Sequence, residues 1–142
     1  MPIKNSSATK GAGYYLEKIQ SALVKNGASG IQMMFDGEGR ISAMAFALPN
    51  LSGEGLMSFQ LPCEWRKTQQ VLLNEGHRRA DEDDFCYKVA WANLKDWIEA
   101  QMALYATEMV TMPQIFLPFA KTQDGRTLAE VIASGDSKLL LE

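Results

Sequence analysis

The segment from Phe85 to Met109 constrains the fold more than any other part of this chain. It reads FCYKVAWANLKDWIEAQMALYATEM and contains no glycine or proline, so nothing in it interrupts a helix. Because it carries two tryptophans, we expect the helix to organise a small hydrophobic core. The residues that recur three and four positions apart, and so share one face, are Tyr87, Ala90, Trp91, Leu94, Trp97, Ile98, Gln101 and Tyr105.

The residues before this segment predict one helix followed by three strands. The helix is expected over 13–26, and the strands over 31–35, 40–48 and 56–61. The Asp36-Gly37 pair between the first two strands predicts a hairpin, because a positive φ angle is easily adopted there. One face of the second strand carries small side chains, which favours close packing of a helix against it: Ala43, Ala45 and Ala47.

Capping motifs divide the remainder of the chain into helices. A helix is expected over 63–74, and the charged loop HRRADEDD then leads into the long helix, with Asp83 or Asp84 as its N-cap. Two later segments have the spacing of a capping box, in which the first and fourth side chains bond each other's backbone N–H groups. They begin at Thr111 and Thr127, and they predict two short C-terminal helices.

This order of elements predicts an α+β fold. We expect a three-stranded antiparallel meander packed by the long aromatic-rich helix, with short helices at the C-terminus. Residues 1–13 are rich in Ser, Thr, Gly and Lys and are predicted to form a flexible N-terminal arm, whereas 14–142 are predicted to form a single α+β domain. The leucines at 139–141 are expected to dock on the core or on a partner.

Composition and charge narrow the class of protein. The 142 residues carry a net charge of −3, with a pI of about 5.2, which argues weakly against a nucleic-acid coat protein and leaves a local basic face open. No apolar run approaches the ~20 residues that span a bilayer, and no secretory signal begins the chain. We therefore expect no membrane partner and a cytoplasmic location, in which Cys63 and Cys86 are buried free thiols.

No constellation of side chains indicates catalysis. Cys63, His77 and Cys86 lack the paired spacing of a zinc module. The four acids at 81–84 could hold a divalent cation, but a solvated loop is the favoured interpretation. The glycines around Glu38 suit a hairpin, since the lysine and hydroxyl residue of a phosphate loop do not follow them. We expect a protein that is not an enzyme, with no catalytic residue, cofactor or metal.

The densest group of basic side chains lies between Arg66 and Lys95. If the helix over 63–74 neighbours the start of the long helix, these side chains form one basic face that contacts the phosphates of DNA or RNA. The alternative is that they pair with the adjacent acids and leave little net field. The candidate nucleic-acid-binding residues are Arg66, Lys67, His77, Arg78, Arg79, Lys88 and Lys95.

The C-terminal segments resemble a family of small uncharacterised phage, prophage and bacterial proteins. The likeness rests on VAWANLKDWIEAQMALYATEMVTMPQIFLPFA, which contains the aromatic helix and an FLP short helix, and on the DGRT turn of DGRTLAEVI. GASGI and FDGEGRI also fit the sheet region of that family, so the resemblance covers most of 14–133. It implies a mobile-element origin and a location in the host cytoplasm, and it brings no known activity.

Three functions remain open for a small accessory protein of this kind. The first is a nucleic-acid-associated role in replication, recombination or repair, through the basic residues. The second is a protein-binding inhibitor of a host system, of the anti-defence type. The third is a self-associating structural protein, a homo-oligomer. Salt distinguishes the first from the others, because phosphate contacts release counterions and weaken steeply as salt rises.

Overall fold

The computed structural model describes residues 2–135 and has an α+β fold, as predicted. Three strands form an antiparallel sheet, and a long helix stands among several shorter ones. The elements in chain order are α1 (Ala12–Lys25), β1 (Ser29–Phe35), β2 (Ile41–Pro49), β3 (Leu56–Pro62), α2 (Trp65–Asn74), α3 (Asp83–Ala106), α4 (Met112–Phe116), a 3-10 turn (Leu117–Phe119) and α5 (Leu128–Ala133).

The chain divides into two compact units. Within the described residues, a helical unit holds 2–25 and Cys63–Leu104, and a sheet unit holds Asn26–Pro62 and 105–135. A single domain over 14–142, and packing of the long helix on the sheet, both stay predictions. Within residues 2–135, no helix combines the length and the apolar character that crossing a membrane requires.

The sheet is the predicted meander, with strand order β1-β2-β3 and antiparallel pairing throughout. The turn between β1 and β2 is fixed by Asp36, whose side-chain carboxylate accepts hydrogen bonds from the backbone N–H groups of Glu38 (2.8 Å) and Arg40 (3.0 Å). Gly39 has a φ angle of 85° there, a conformation that favours glycine. The local chemistry of Asp-Gly therefore produces the predicted hairpin.

The two faces of β2 have different surroundings. Phe46 on the face with large side chains is buried and stacks on Phe59 of β3 (5.7 Å between ring centroids), and the ring of Phe116 from α4 meets Phe46 edge-on at 5.1 Å. On the opposite face, Ala45 and Ala47 remain partly exposed. Ala43 on this face is buried. The predicted close packing of a helix along the small-residue face stays a prediction, and the sheet unit's own aromatic core forms on the large-residue face.

The C-terminal helices begin at the predicted capping boxes. The Thr111 hydroxyl accepts a hydrogen bond from the Gln114 N–H (3.2 Å), and the Gln114 side chain accepts one from the Thr111 N–H (2.8 Å). Thr127 and Glu130 repeat this arrangement at the start of α5. The predicted docking of the leucines at 139–141 lies outside the described residues.

The long helix α3 is buried differently from the predicted single stripe. Its first half is buried on all sides from Phe85 to Ala92 except at Lys88, and Trp91 is completely buried. Trp97 is only half-buried. Asp83 and Asp84 lie in the first turn, where negative charge suits the helix dipole, rather than at the N-cap.

The N-terminal arm forms hydrogen bonds and an ion pair with other parts of the helical unit. The Asn5 side-chain amide donates to Asn93 and Asp96, at 2.9 Å each. Lys4 pairs with Asp96 at 3.3 Å, and the backbone N–H of Ile3 donates to Glu75 at 2.9 Å. The flexibility of residues 1–13 stays a prediction; these contacts hold residues 3–5 beside α2 and α3.

Candidate anion-binding site

Four of the seven predicted basic residues pair with acids, and three of these four lie outside the cavity described below: Arg66, Lys67 and Lys95. Arg66 lies 2.9 Å from Asp83 and stacks its guanidinium on the Trp65 ring at 4.0 Å. Lys67 pairs with Glu64 at 3.0 Å. Lys95 pairs with Asp96 at 3.0 Å and Glu99 at 3.4 Å, and the hydrogen bond to Asp96 is the main reason that its pKa is raised. Arg66, Lys67 and Lys95 therefore pair with nearby acids, as the alternative interpretation of the sequence expects.

The other four basic residues line one cavity in the helical unit. This cavity has a volume of about 470 Å³ and is bounded by the arm residues 6–9 on one side. The loop between α2 and α3 and the first turns of α3 bound it elsewhere. Its basic lining residues are His77, Arg78, Arg79 and Lys88. Among residues 2–135, no Asp or Glu side chain lines this cavity.

The buried ring of Phe85 organises this group. His77 stacks on the ring, with 4.9 Å between centroids and 24° between planes. The Arg79 guanidinium lies 4.5 Å from the ring centroid and the Lys88 ammonium 5.4 Å from it, distances at which a cation is attracted by the π-electrons. Because Phe85 is only 3% exposed, its ring positions the charged groups and leaves no surface for a base to stack on.

Both nitrogens of His77 are engaged by the backbone. The Arg79 N–H donates to Nδ1 at 3.0 Å, and Nε2 lies 3.1 Å from the carbonyl oxygen of Ser6. A backbone N–H can only donate and a carbonyl oxygen can only accept, so both bonds form when the ring is neutral with its proton on Nε2. His77 therefore contributes structure: it ties the arm to the loop that carries Arg78 and Arg79.

The charge of the cavity is set by one ion pair and two unpaired cations. Arg79 donates to both carboxylate oxygens of Glu82, at 3.0 and 2.9 Å, which raises the pKa of Arg79 and lowers that of Glu82. Arg78 is exposed, and neither Arg78 nor Lys88 forms an ion pair within residues 2–135. Arg78 and Lys88 therefore have no direct ion pair in the described part of the chain, although, after the Arg79 hydrogen bond, the nearby charge of Arg78 also lowers the pKa of Glu82, and Asp84 lines an adjoining cavity together with Lys88.

The arm adds hydroxyl groups that the sequence analysis missed. Ser6, Ser7 and Thr9 line the cavity beside the cations. Their side-chain hydroxyls bond to no group in residues 2–135, so each can donate to an anion. The sequence signal was the Ser-Ser-Ala-Thr run, whose composition indicated only a loose arm.

The remaining candidates for chemistry are dispersed or buried. Cys63 and Cys86 are buried free thiols, as predicted. Burial raises the pKa of the Cys63 thiol to about 12, and the charge of Glu64 adds to that effect. Within residues 2–135, no three His, Cys, Asp or Glu side chains converge as a set of metal ligands.

Comparisons of the chain with protein-family models, with curated proteins and with solved structures find no match. The resemblance to small phage and prophage proteins therefore stays a prediction, and any functional proposal depends on the geometry of the cavity.

Proposed function

We propose that this chain is a non-enzymatic phage or mobile-element accessory protein with a nucleic-acid-associated role, in replication, recombination or repair. It binds DNA or RNA in the host cytoplasm by holding phosphate in the cavity beside the N-terminal arm. The single observation that carries this proposal is the convergence of Arg78, Arg79 and Lys88 on a cavity with no carboxylate in its described lining.

The chemistry of the lining suits a phosphate. Arginine presents a fork of N–H donors that matches phosphate oxygens, and lysine adds a compact point charge. The unbonded hydroxyls of the arm supply further donors at close range. Pre-existing contacts of His77 and Phe85 hold this lining in place, so few side chains need to be ordered when the phosphate binds.

The test is fluorescence-polarisation binding to labelled single- and double-stranded oligonucleotides over a range of salt concentrations. Two phosphate-facing cations predict that the logarithm of affinity for a single strand falls with the logarithm of salt at a slope of about −1.4. The double variant Arg78→Ala/Lys88→Ala should weaken binding by at least about tenfold, since each charge-assisted hydrogen bond contributes roughly 1.5–3 kcal/mol.

The matched control is the double variant Lys67→Ala/Lys121→Ala, which removes the same number of positive charges at exposed positions outside the cavity. It should leave the affinity within about twofold of the parent, because screening limits the reach of a surface charge to roughly 8–10 Å. Equal weakening by both double variants would refute the cavity as the binding site. Failure of the parent to bind any oligonucleotide at low salt would refute the nucleic-acid role itself.

One observation favours a protein partner as the second candidate function. Strand β1 is an edge of the sheet, its sequence SGIQMMF carries no charge, and Phe35 at its end is 66% exposed. Uncharged edge strands pair readily with another strand. A host-system inhibitor of the anti-defence type, or a self-associating protein, would use this edge. Light scattering with the parent and with Phe35→Lys, which places a charge at this exposed position, tests the self-associating form.

A further inference from the structure

We propose that the exposed ring of Tyr14 is a stacking platform for one base of a single-stranded nucleic acid, and that Lys10 and Lys18 hold the phosphates next to that base. This inference rests on the proposed function, and it extends the binding site from the cavity onto the first helix. Three features of the helical unit carry it: the exposure of the ring, the cations beside it, and the continuity of its surroundings with the cavity.

Tyr14 is an aromatic side chain that the helical unit leaves in contact with solvent. Its side chain is 41% exposed near the start of α1, whereas the next residue, Tyr15, is buried and meets it edge-on at 5.2 Å between ring centroids. The ammonium of Lys95 lies 5.9 Å from the Tyr15 ring, so this turn of α1 lies beside α3. Tyr14 therefore has a fixed neighbour and an exposed surface, and any base can stack on such a ring because every base has a π-face.

Two exposed lysines lie beside this ring. The ammonium of Lys10 is 5.6 Å from the Tyr14 ring centroid, and that of Lys18 is 5.4 Å from it. In the part of the chain that the structure describes, neither lysine forms an ion pair with a carboxylate. An exposed ring holds a cation only weakly, so a base can take the place of an ammonium while the flexible lysine turns to the neighbouring phosphate.

The N-terminal arm connects this ring to the phosphate cavity. Residues 6–9 line that cavity, and residues 11–12 line a second cavity of about 360 Å³ that shares Arg79 and Lys88 with the first. Tyr14 follows two positions later on α1. A strand whose phosphates occupy the two cavities is therefore led along the arm toward the Tyr14 ring.

Nearby carboxylates explain why the phosphate contacts need a stacked base. Glu82 pairs with Arg79, Asp84 lines the second cavity, and Glu17 precedes Lys18 on α1. These acids offset part of the positive charge, so ionic contacts alone give weak binding that salt screens. A stacked base adds affinity that does not depend on those charges. The bases of a duplex already stack on one another, so we expect a preference for single strands.

The experiment compares a labelled single strand with an abasic strand of the same length, which keeps the phosphates and lacks the bases, and with the corresponding duplex. Fluorescence polarisation measures each affinity over a range of salt concentrations. We expect the parent protein to bind the normal strand at least about fivefold more tightly than the abasic strand, and more tightly than the duplex. Tyr14→Ala should remove the advantage of the normal strand and leave the affinity for the abasic strand unchanged. Tyr14→Phe keeps the ring and should bind within about twofold of the parent.

The lysines are tested by the salt dependence of the same binding. Because Lys10 and Lys18 add two phosphate contacts to those of the cavity, the slope for a single strand should steepen from the −1.4 or so of the cavity alone to about −2.8. Lys10→Gln/Lys18→Gln should return the slope to about −1.4. The control Val24→Ala truncates another exposed apolar side chain of α1, about 15 Å further along the helix, and should change neither the affinity nor the slope.

Each other outcome has a distinct meaning. Equal affinity of the parent for the normal and abasic strands, with weakening by Arg78→Ala/Lys88→Ala, would overturn this inference and leave the proposed function standing. Equal weakening of both strands by Tyr14→Ala would also overturn it, because the ring would then act through the fold, which circular dichroism of the variant verifies. Tighter binding of the duplex would refute the preference for single strands. Absence of all binding would overturn this inference and the proposed function together.

Discussion

Trp91 provides the sharpest test of how the helical unit is stabilised. Its side chain is completely buried in α3, and its indole N–H has no hydrogen-bond partner within residues 2–135. A buried tryptophan removes roughly 150–250 Å² from water, which at about 25 cal/mol per Å² corresponds to roughly 4–6 kcal/mol. Trp91→Ala should therefore lower the free energy of unfolding by about 3–5 kcal/mol, a large part of the 5–15 kcal/mol typical of a domain.

Two further variants separate ring volume from the unsatisfied N–H group. Trp91→Phe keeps most of the apolar volume and removes a buried donor whose desolvation costs about 1–3 kcal/mol, so it should lower stability by less than about 2 kcal/mol. Trp97 is partly exposed, so Trp97→Ala should cost less than Trp91→Ala. Urea unfolding followed by circular dichroism measures all three. Equal losses for Trp91→Phe and Trp91→Ala, or a larger loss at Trp97, would refute this reasoning.

Three other variants and conditions test the caps, the thiols and the arm. Thr127→Ala at the buried cap of α5 should lower the free energy of unfolding by about 1–2 kcal/mol, and Thr111→Ala at the exposed cap by about 0.5–1 kcal/mol, both measured in urea. A maleimide at pH 8 should label Cys63 only as fast as the protein opens, because burial raises the pKa of that thiol to about 12; peptide mapping would detect faster labelling. Burial raises the pKa of Asp96, but hydrogen bonds led by that from Asn5 outweigh it and lower the pKa overall. The stability that Asp96 contributes is therefore fully present above its unfolded pKa of about 3.9 and is lost as pH falls below it, and Asp96→Asn should flatten that loss in acid unfolding curves.

The elements were predictable because their determinants are local. The Asp36 carboxylate bonds groups two and four residues away, and each capping box closes over three residues. Such contacts depend little on the rest of the chain, so a sequence pattern is enough to identify them. The full burial of the first half of α3 depends instead on surroundings that its own periodicity does not encode.

Part of the candidate site could also have been found by local reasoning. Lys67 with Glu64, and Lys95 with Glu99, have helical spacings that predict ion pairs, and applying that rule would have removed both lysines from the basic set. The contact that brings the N-terminal arm to the cavity is not local in sequence. His77 reaches Ser6 across 71 positions of sequence, and no local pattern brings the arm hydroxyls to that loop.

Net charge is a poor guide to such a site because it averages over the whole surface. The chain carries −3 overall, yet Arg78, Arg79 and Lys88 line one cavity whose described lining contains no carboxylate. Since screening confines the influence of a charge to roughly 8–10 Å at physiological salt, an anion in the cavity interacts chiefly with the side chains that line it. The net negative charge of the rest of the surface repels a nucleic-acid strand that lies along it. An overall negative protein with a local group of basic side chains is therefore better suited to a local phosphate contact than to coating a nucleic acid along its length.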